Sequence, residues 1–172
     1  MTYFIKKAGS TDWKAIFDIL STCTDWLAEQ AMNHWKGGHT KEKVIKRIEE
    51  KEVYIAYYEH LAVGTITLSL FAPFYYNEND KKFWNDEIAS AIYVSALAVL
   101  PKYQDKGVAT ELLKFAEQKA REMGIYYIRF DAVSYYVKLN EFYLKNGYEI
   151  VGKRITGNLE SNFFEKKIIL VK

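Results

Sequence analysis

The sequence predicts an α/β (α+β) fold: a mixed sheet with helices on both sides. Three observations carry this reading. Short β-like segments alternate with longer stretches of helical periodicity along the whole chain. Residues 89 to 100 form a nearly uncharged run that ends at Pro101, as suits a strand buried on both faces. From Gly107 the chain becomes amphipathic, with Ala109, Leu112, Leu113, Ala116, Ala120 and Met123 on one helical face.

In order, residues 2 to 8 read as a first strand, and Ser10 and Thr11 offer N-caps to a helix bearing Trp13, Ile16, Phe17 and Leu20. That helix is expected to run, with an interruption, towards Trp35, where Gly37 and Gly38 break it. Thr40 then caps a second helix carrying Val44, Ile45 and Ile48. Glu52 to Tyr58 and Leu61 to Leu70 make a hairpin about Glu59 and His60. The long segment from Pro73 to about Glu87 alternates polar and aromatic residues, and so long a loop in a compact domain points to function. After the buried strand and the amphipathic helix, which Gly124 ends, come a strand at Ile125 to Asp131 and a helix at Ser134 to Lys145. Two strands follow, near Tyr148 to Lys153 and Phe163 to Val171.

With 172 residues the chain is long enough for one core that buries about 70% of the extended surface, and 1–172 is read as a single domain. Hydrophobic residues at 49% and charged residues at 27% exclude a disordered or fibrous chain. The 14 Tyr, 10 Phe and 4 Trp are unusually many, and some are expected to line a pocket. A net charge of +2, with Lys and Arg spread evenly, argues against nucleic acid. Cys23 is alone, so no intrachain disulfide or Cys-based zinc site can form, and the three His lack ligand spacing, so no metal is expected. No apolar run approaches the ~20 residues needed to span a bilayer. The N-terminal residues lack the apolar stretch of a signal peptide, and a cytoplasmic setting is expected.

The chemistry concentrates at Leu97 to Thr110, where the buried strand passes through a short polar turn into a helix that begins with small residues. Free N–H groups at such a helix start converge on an anion, and the helix dipole favours phosphate there. Gly107 permits close approach and Ala109 keeps the wall low. The run Gln104-Asp105-Lys106-Gly107-Val108-Ala109 resembles the Q/R-x-x-G-x-G/A pyrophosphate segment of the GNAT (Gcn5-related N-acetyltransferase) family, and it follows a Leu-Ala-Val-x-Pro strand end typical of that family. Downstream, Asn140 to Glu149, with Phe142-Tyr143 and Gly147-Tyr148, resembles the family's F-Y-x-x-x-G-F/Y ending.

The resemblance implies a mostly antiparallel sheet of six or seven strands, splayed at its centre and flanked by about four helices. It also implies acetyl-CoA (coenzyme A) as co-substrate, with direct transfer to an amine in a ternary complex. Carried over to this chain, it gives the backbone N–H of Val99, with Leu97 and Ala98 beside it, to the acetyl carbonyl and pantetheine arm. It gives Gln104, Lys106, Gly107, Val108, Ala109 and Thr110 to the pyrophosphate, and Tyr143 to protonation of the departing thiolate. Asn140 is read either as a partner of the pantetheine amides or as a local structural cap.

The chain departs from the family pattern at two positions. Tyr136 stands where many members carry a cofactor-binding Asn, and Asp105 puts a negative charge beside the expected phosphates, offset by Lys102 and Lys106. The strand positions that often supply a base are Tyr93 and Ser95, neither of them effective near neutral pH, so His34, His39, Asp86 and Glu87 stand as base candidates. Each motif has a structural alternative: Gly107 in an ordinary loop-to-helix turn, and Tyr143 packed in a core with Leu139 and Phe142. Glu117 and Arg121 read as a solvated pair. The expected activity is N-acetylation of a primary amine on a small molecule or a peptide. The alternatives are a non-catalytic acyl-CoA sensor and a protein N-terminal or lysine acetyltransferase. Exposed aromatics are compatible with a homodimer.

Overall fold

The computed structural model of the protein describes residues 2–170. Its strands are β1 (Phe4–Lys7), β2 (Glu52–Tyr58), β3 (Leu61–Ser69), β4 (Ala91–Val99), β5 (Tyr127–Val133), β6 (Glu149–Thr156) and β7 (Leu159–Lys167). They form one mixed sheet in the order β1-β2-β3-β4-β5-β7-β6. The helices among the described residues are α1 (Trp13–Glu29), α2 (Lys41–Glu50), the single turn α3 (Glu78–Lys81), α4 (Val108–Met123) and α5 (Val137–Lys145). The α3 turn, inside what the sequence reads as loop, makes the helices five where about four were expected. The last strand is shifted towards the N-terminus of its expected span, and Val171, the expected end, lies outside the described residues.

The chain divides into two compact units, one built from residues up to Leu68 with Ser95–Phe115, the other from Ser69–Val94 with Ala116 onward. In the first unit β1, β2 and β3 pair antiparallel, from Phe4 opposite Tyr57 and Val53 opposite Thr67. Their core joins Ile16, Ile19, Leu20 and Cys23 of α1 with Val44 of α2, Val53 and Ile55 of β2, and Ala98 of β4. The three- and four-residue spacing of those α1 positions places them on one stripe of the helix.

Both ends of α1 differ from the sequence expectation. Ser10 and Thr11 do not cap it, because they lie inside a 3-10 turn, Ser10–Asp12, where the Gly9 N–H donates to Asp12 Oδ2 at 2.8 Å. The helix stops at Glu29 instead of running towards Trp35. Ala31 adopts a left-handed φ of 61°, and the N–H groups of Ala31 and Met32 donate back to the Ala28 and Leu27 carbonyls at 3.0 and 2.9 Å. This is a Schellman stop made without glycine. Thr40 does cap α2, with Oγ1 accepting the Lys43 N–H at 3.3 Å.

In the second unit β4 runs parallel to β5 over Ala91–Tyr93, and β7 pairs antiparallel with both β5 and β6. On one face of the sheet Phe130 and Phe164 pack against Tyr143 and Tyr148, with ring centroids 4.5 to 5.3 Å apart around Phe130. The opposite face, set by the two-residue alternation, carries Arg129 and Asp131 of β5 and Phe163 and Glu165 of β7. The segment from Pro73 to Ala89 covers this face. Tyr76, Trp84 and Phe83 pack on Phe163, and the Phe83 ring occupies the space that a Cβ at Gly152 would need, 2.1 Å from it.

Arg129 is fully buried. Its Nε donates to Glu165 Oε2 at 2.7 Å, its remaining nitrogens donate to the Asp86 and Ala89 carbonyls, and the rings of Trp84 and Tyr127 lie 5.0 and 4.9 Å from its guanidinium. Glu165 Oε1 in turn accepts the N–H and side-chain amide of Asn85. Glu117 is also an internal charge. The expected pair with Arg121 forms at 3.7 Å, but Glu117 is buried instead of solvated, accepts Lys166 Nζ at 2.7 Å and takes the Tyr148 hydroxyl at 3.4 Å. A hydroxyl from just before β6 and an ammonium from β7 are invisible to helical spacing alone.

Removing one member of a buried ion pair leaves the other charge uncompensated. Glu165→Ala is therefore expected to cost about 3–5 kcal/mol in urea denaturation. Loss below about 1 kcal/mol would mean that Arg129 does not depend on it.

Candidate functional site

Within the first unit β4 leads into α4 through a short turn. Leu97 is half-buried, and Ala98 and Val99 are buried. Before them Ala96 takes a left-handed φ of 48°, a conformation that a residue with a Cβ adopts only when its surroundings force it. A residue of this kind interrupts the two-residue alternation and the hydrogen-bond ladder of a strand. The carbonyl of Val99 is fixed by two donors, Cys23 Sγ at 3.2 Å and Gln104 Nε2 at 3.4 Å. Burial pushes the Cys23 thiol up to about 12, against the lowering effect of its bond to Val99, so it serves as a donor and not as a nucleophile. Leu100 closes the strand by donating to the Val63 carbonyl at 2.9 Å.

A 3-10 turn, Pro101–Tyr103, then reverses the chain. Gln104 is absorbed in this reversal: its N–H reaches the Pro101 carbonyl at 3.3 Å while its side-chain amide turns back to Val99. From Asp105 the backbone opens. Asp105 and Gly107 have left-handed φ of 58° and 88°, with Lys106 between them outside that region. Backbone nests that bind anions use left-handed residues of this kind. The first i→i−4 bond of the helix is Glu111 N–H to the Gly107 carbonyl at 3.0 Å, so the N–H groups of Val108, Ala109 and Thr110 precede the ladder. A Cβ built on Gly107 meets nothing within 4 Å, so the space beside that residue is open.

The back of the turn is held firmly. Tyr3 Oη donates to the Lys106 carbonyl at 2.8 Å, and Lys106 Nζ lies 5.2 Å from the Tyr103 ring. Gly64 of β3 approaches so closely that a Cβ there would sit 3.0 Å from Val108 Cγ1 and 3.1 Å from the Ala98 carbonyl. Open space at Gly107, N–H groups that precede the helical ladder and the positive end of a helix dipole fit a diphosphate. Gly107, Val108, Ala109 and Thr110 would hold it, with Lys106 as the adjacent cation.

In the second unit Tyr143 is 6% exposed and ringed by Phe130 and Phe164 at 4.5 and 5.1 Å. Burial first, then the charge of Asp131, hold its phenol well above 10, so it keeps its proton at any ordinary pH. Asn140 is buried, and its amide is spent locally. Nδ2 donates to the Val133 and Tyr136 carbonyls at 2.9 and 2.8 Å, and Oδ1 accepts Asn162 Nδ2 at 2.8 Å. Of its two sequence readings, the structural cap is the one these bonds describe.

The base candidates scatter. His34 and His39 flank Trp35 in the first unit, with His39 4.9 Å from it. Burial lowers both imidazoles, with Arg47 and Lys43 adding to the effect at His39, which falls to about 4. Asp86 Oδ1 accepts the Ala89 N–H at 3.2 Å and so shapes a turn, while Glu87 is exposed. Sequence reasoning passed over Asp131, whose Oδ1 accepts Tyr76 Oη at 2.7 Å and Tyr75 Oη at 3.1 Å. Its signal was a carboxylate two positions after Arg129 in an otherwise apolar strand.

Residues 13–148 match the model of the acetyltransferase (GNAT) family. The chain is 28% identical over 166 residues to the uncharacterized N-acetyltransferase YesJ of Bacillus subtilis (strain 168), covering 91% of this chain and 86% of that one. Its fold is similar to a GNAT-family acetyltransferase from Listeria monocytogenes 4b F2365, with a TM-score of 0.76, 22% identity and coverage of 96% and 94%. It is also similar to the PaiA N-acetyltransferase of Thermoplasma acidophilum, solved in complex with coenzyme A, with a TM-score of 0.72, 20% identity and coverage of 97% and 99%.

Gly107→Ala puts a methyl into the open space beside that residue and strains a left-handed residue by about 1–2 kcal/mol. It is expected to weaken coenzyme A by about tenfold or more in calorimetry, the equivalent of about 1.4 kcal/mol; unchanged affinity would place the diphosphate elsewhere. With the family model matched over most of its length, the chain belongs to the GNAT acetyltransferase family and is an acyltransferase that uses acetyl-coenzyme A.

Proposed function

We propose that the protein transfers acetyl from acetyl-coenzyme A to a primary amine of a small molecule or a peptide, by direct attack in a ternary complex. The observation that carries this reading is the open turn at Gly107, with its N–H groups ahead of the helical ladder. Acetyl-coenzyme A supplies the activated acetyl thioester. The chain's own groups bind and orient it: Gly107 to Thr110 through their N–H groups, Lys106 through its charge, and Leu97 to Val99 along the pantetheine arm. The Val99 N–H is the donor read as facing the acetyl carbonyl, where charge develops, and a preorganised donor there is worth about 3–4 kcal/mol. Fixing the Val99 carbonyl by Cys23 and Gln104 holds the orientation of the neighbouring peptide.

Tyr143 keeps a proton at Oη and is read as the donor to the departing thiolate, while burial makes it a weaker acid than a free phenol. Asn140 orders the segment that carries Tyr143. The whole of 1–172 is read as one acetyltransferase domain acting in the cytoplasm. No helix among the described residues is long and apolar enough to cross a membrane. The exposed aromatic residues Phe71 and Phe74 favour an acceptor with an apolar body over an extended acidic cleft for proteins.

The test is free thiol release from acetyl-coenzyme A across a panel of primary amines. Acceptor-dependent release is expected, and Tyr143→Phe is expected to lower kcat by about a hundredfold or more while coenzyme A affinity holds. Indifference of turnover to that substitution would remove Tyr143 from the reaction. Coenzyme A binding without release for any amine would favour the non-catalytic sensor.

A further inference from the structure

We propose that the Tyr3 hydroxyl, brought in from the start of β1, is the positioning group of the diphosphate turn and sets its preference for coenzyme A over pantetheine; this rests on the reading of that turn given above. β1 pairs antiparallel with β2, and Phe4 opposite Tyr57 carries the preceding residue to the Tyr58 end of β2. There the Tyr3 and Tyr58 rings lie 6.1 Å apart, and the Tyr58 ring lies 6.0 Å from that of Tyr103, the last residue of the 3-10 turn before the reversal. Strand register and ring packing thus seat one phenol against the turn, where Oη donates to the Lys106 carbonyl at 2.8 Å.

That bond acts on two amides of the turn. The C=O and N–H of a planar trans peptide point in opposite directions, and no peptide among the described residues is cis. Holding the Lys106 carbonyl towards Tyr3 therefore holds the Gly107 N–H away from it. The same carbonyl is the acceptor that the Thr110 N–H would take if the i→i−4 ladder began one residue earlier. Here it meets the phenol, Gly107 takes a left-handed φ of 88°, and the ladder opens with Glu111 N–H to the Gly107 carbonyl at 3.0 Å, so the Thr110 N–H stays ahead of it. Glycine and phenol have complementary tasks. The glycine lets the peptide take this orientation, but its freedom in φ opens others as well, and the hydroxyl selects one of them. An anion bound by backbone N–H groups depends on that selection, because a donor that must first be turned loses part of its strength to ordering. Pantetheine carries no phosphate and does not draw on these amides.

The experiment compares the intact protein with Tyr3→Phe, which keeps the ring and removes only the hydroxyl, by calorimetry with coenzyme A and with pantetheine. Coenzyme A is expected to bind the variant about threefold to tenfold more weakly, the loss of one hydrogen bond, while pantetheine stays within twofold. In steady-state kinetics KM for acetyl-coenzyme A is expected to rise by the same factor with kcat within twofold. Para-aminophenylalanine in place of Tyr3 returns an N–H donor to the same position and is expected to recover coenzyme A affinity, which a role in stability alone would not require. Tyr3→Leu removes the hydroxyl by a second route and is expected to give a loss of the same sign, so the reading does not hang on one variant folding. Coenzyme A affinity unchanged in both variants, equal weakening of pantetheine, or no recovery with para-aminophenylalanine overturns the proposal. Equal affinity of the intact protein for coenzyme A and pantetheine would instead remove the diphosphate from this turn, and that result is read before any variant is made.

Discussion

The start of α4 lies where it does because Gly64 of β3 has no side chain. The Ala98 carbonyl and the Val108 and Leu112 side chains lie 3.1, 3.0 and 3.3 Å from where a Cβ at Gly64 would stand, so any side chain there would push them back. Close seating brings the first turn of α4 directly beyond the buried end of β4. The reversal between them is then short, and it is made by two left-handed residues, Asp105 and Gly107. Everything proposed about the donor follows from that reversal. N–H groups precede the helical ladder there, the space beside Gly107 is open, and the turn is tied down by Tyr3.

The second unit solves a different problem, how to hold a long aromatic segment on one face of a sheet. It does so with buried charge. Arg129 reaches the Asp86 and Ala89 carbonyls, Glu165 takes the Asn85 amide, and Arg154 with Asp80 secures the α3 turn. Isolated buried ion pairs often contribute little net stability, but their geometry is demanding and specifies one placement of the chain. Here that placement sets Tyr75 and Tyr76 on Asp131.

Much of this was legible in the sequence. Strand β4 followed from its uncharged run and Pro101, α4 from its apolar spacing, and the short turn between them from Gly107, because local rules govern each. The stop of α1 was not legible, since Ala31 takes a left-handed conformation that sequence reasoning assigns to Gly or Asn. Glu117 was misread because its partner Lys166 is distant in sequence. Gln104 fitted the motif, yet its N–H and side chain serve the turn itself. Asp131 was passed over because its meaning depends on two tyrosines more than fifty residues earlier.

The central claim is that the backbone N–H groups of Gly107 to Thr110 grip a diphosphate. Amide-resolved nitrogen-15 NMR, titrating the protein with coenzyme A and separately with pantetheine, addresses it directly. Large shifts of those four amides with coenzyme A, and little change there with pantetheine, are the expected result. Shifts that spare residues 107 to 110, or that pantetheine reproduces, would contradict it.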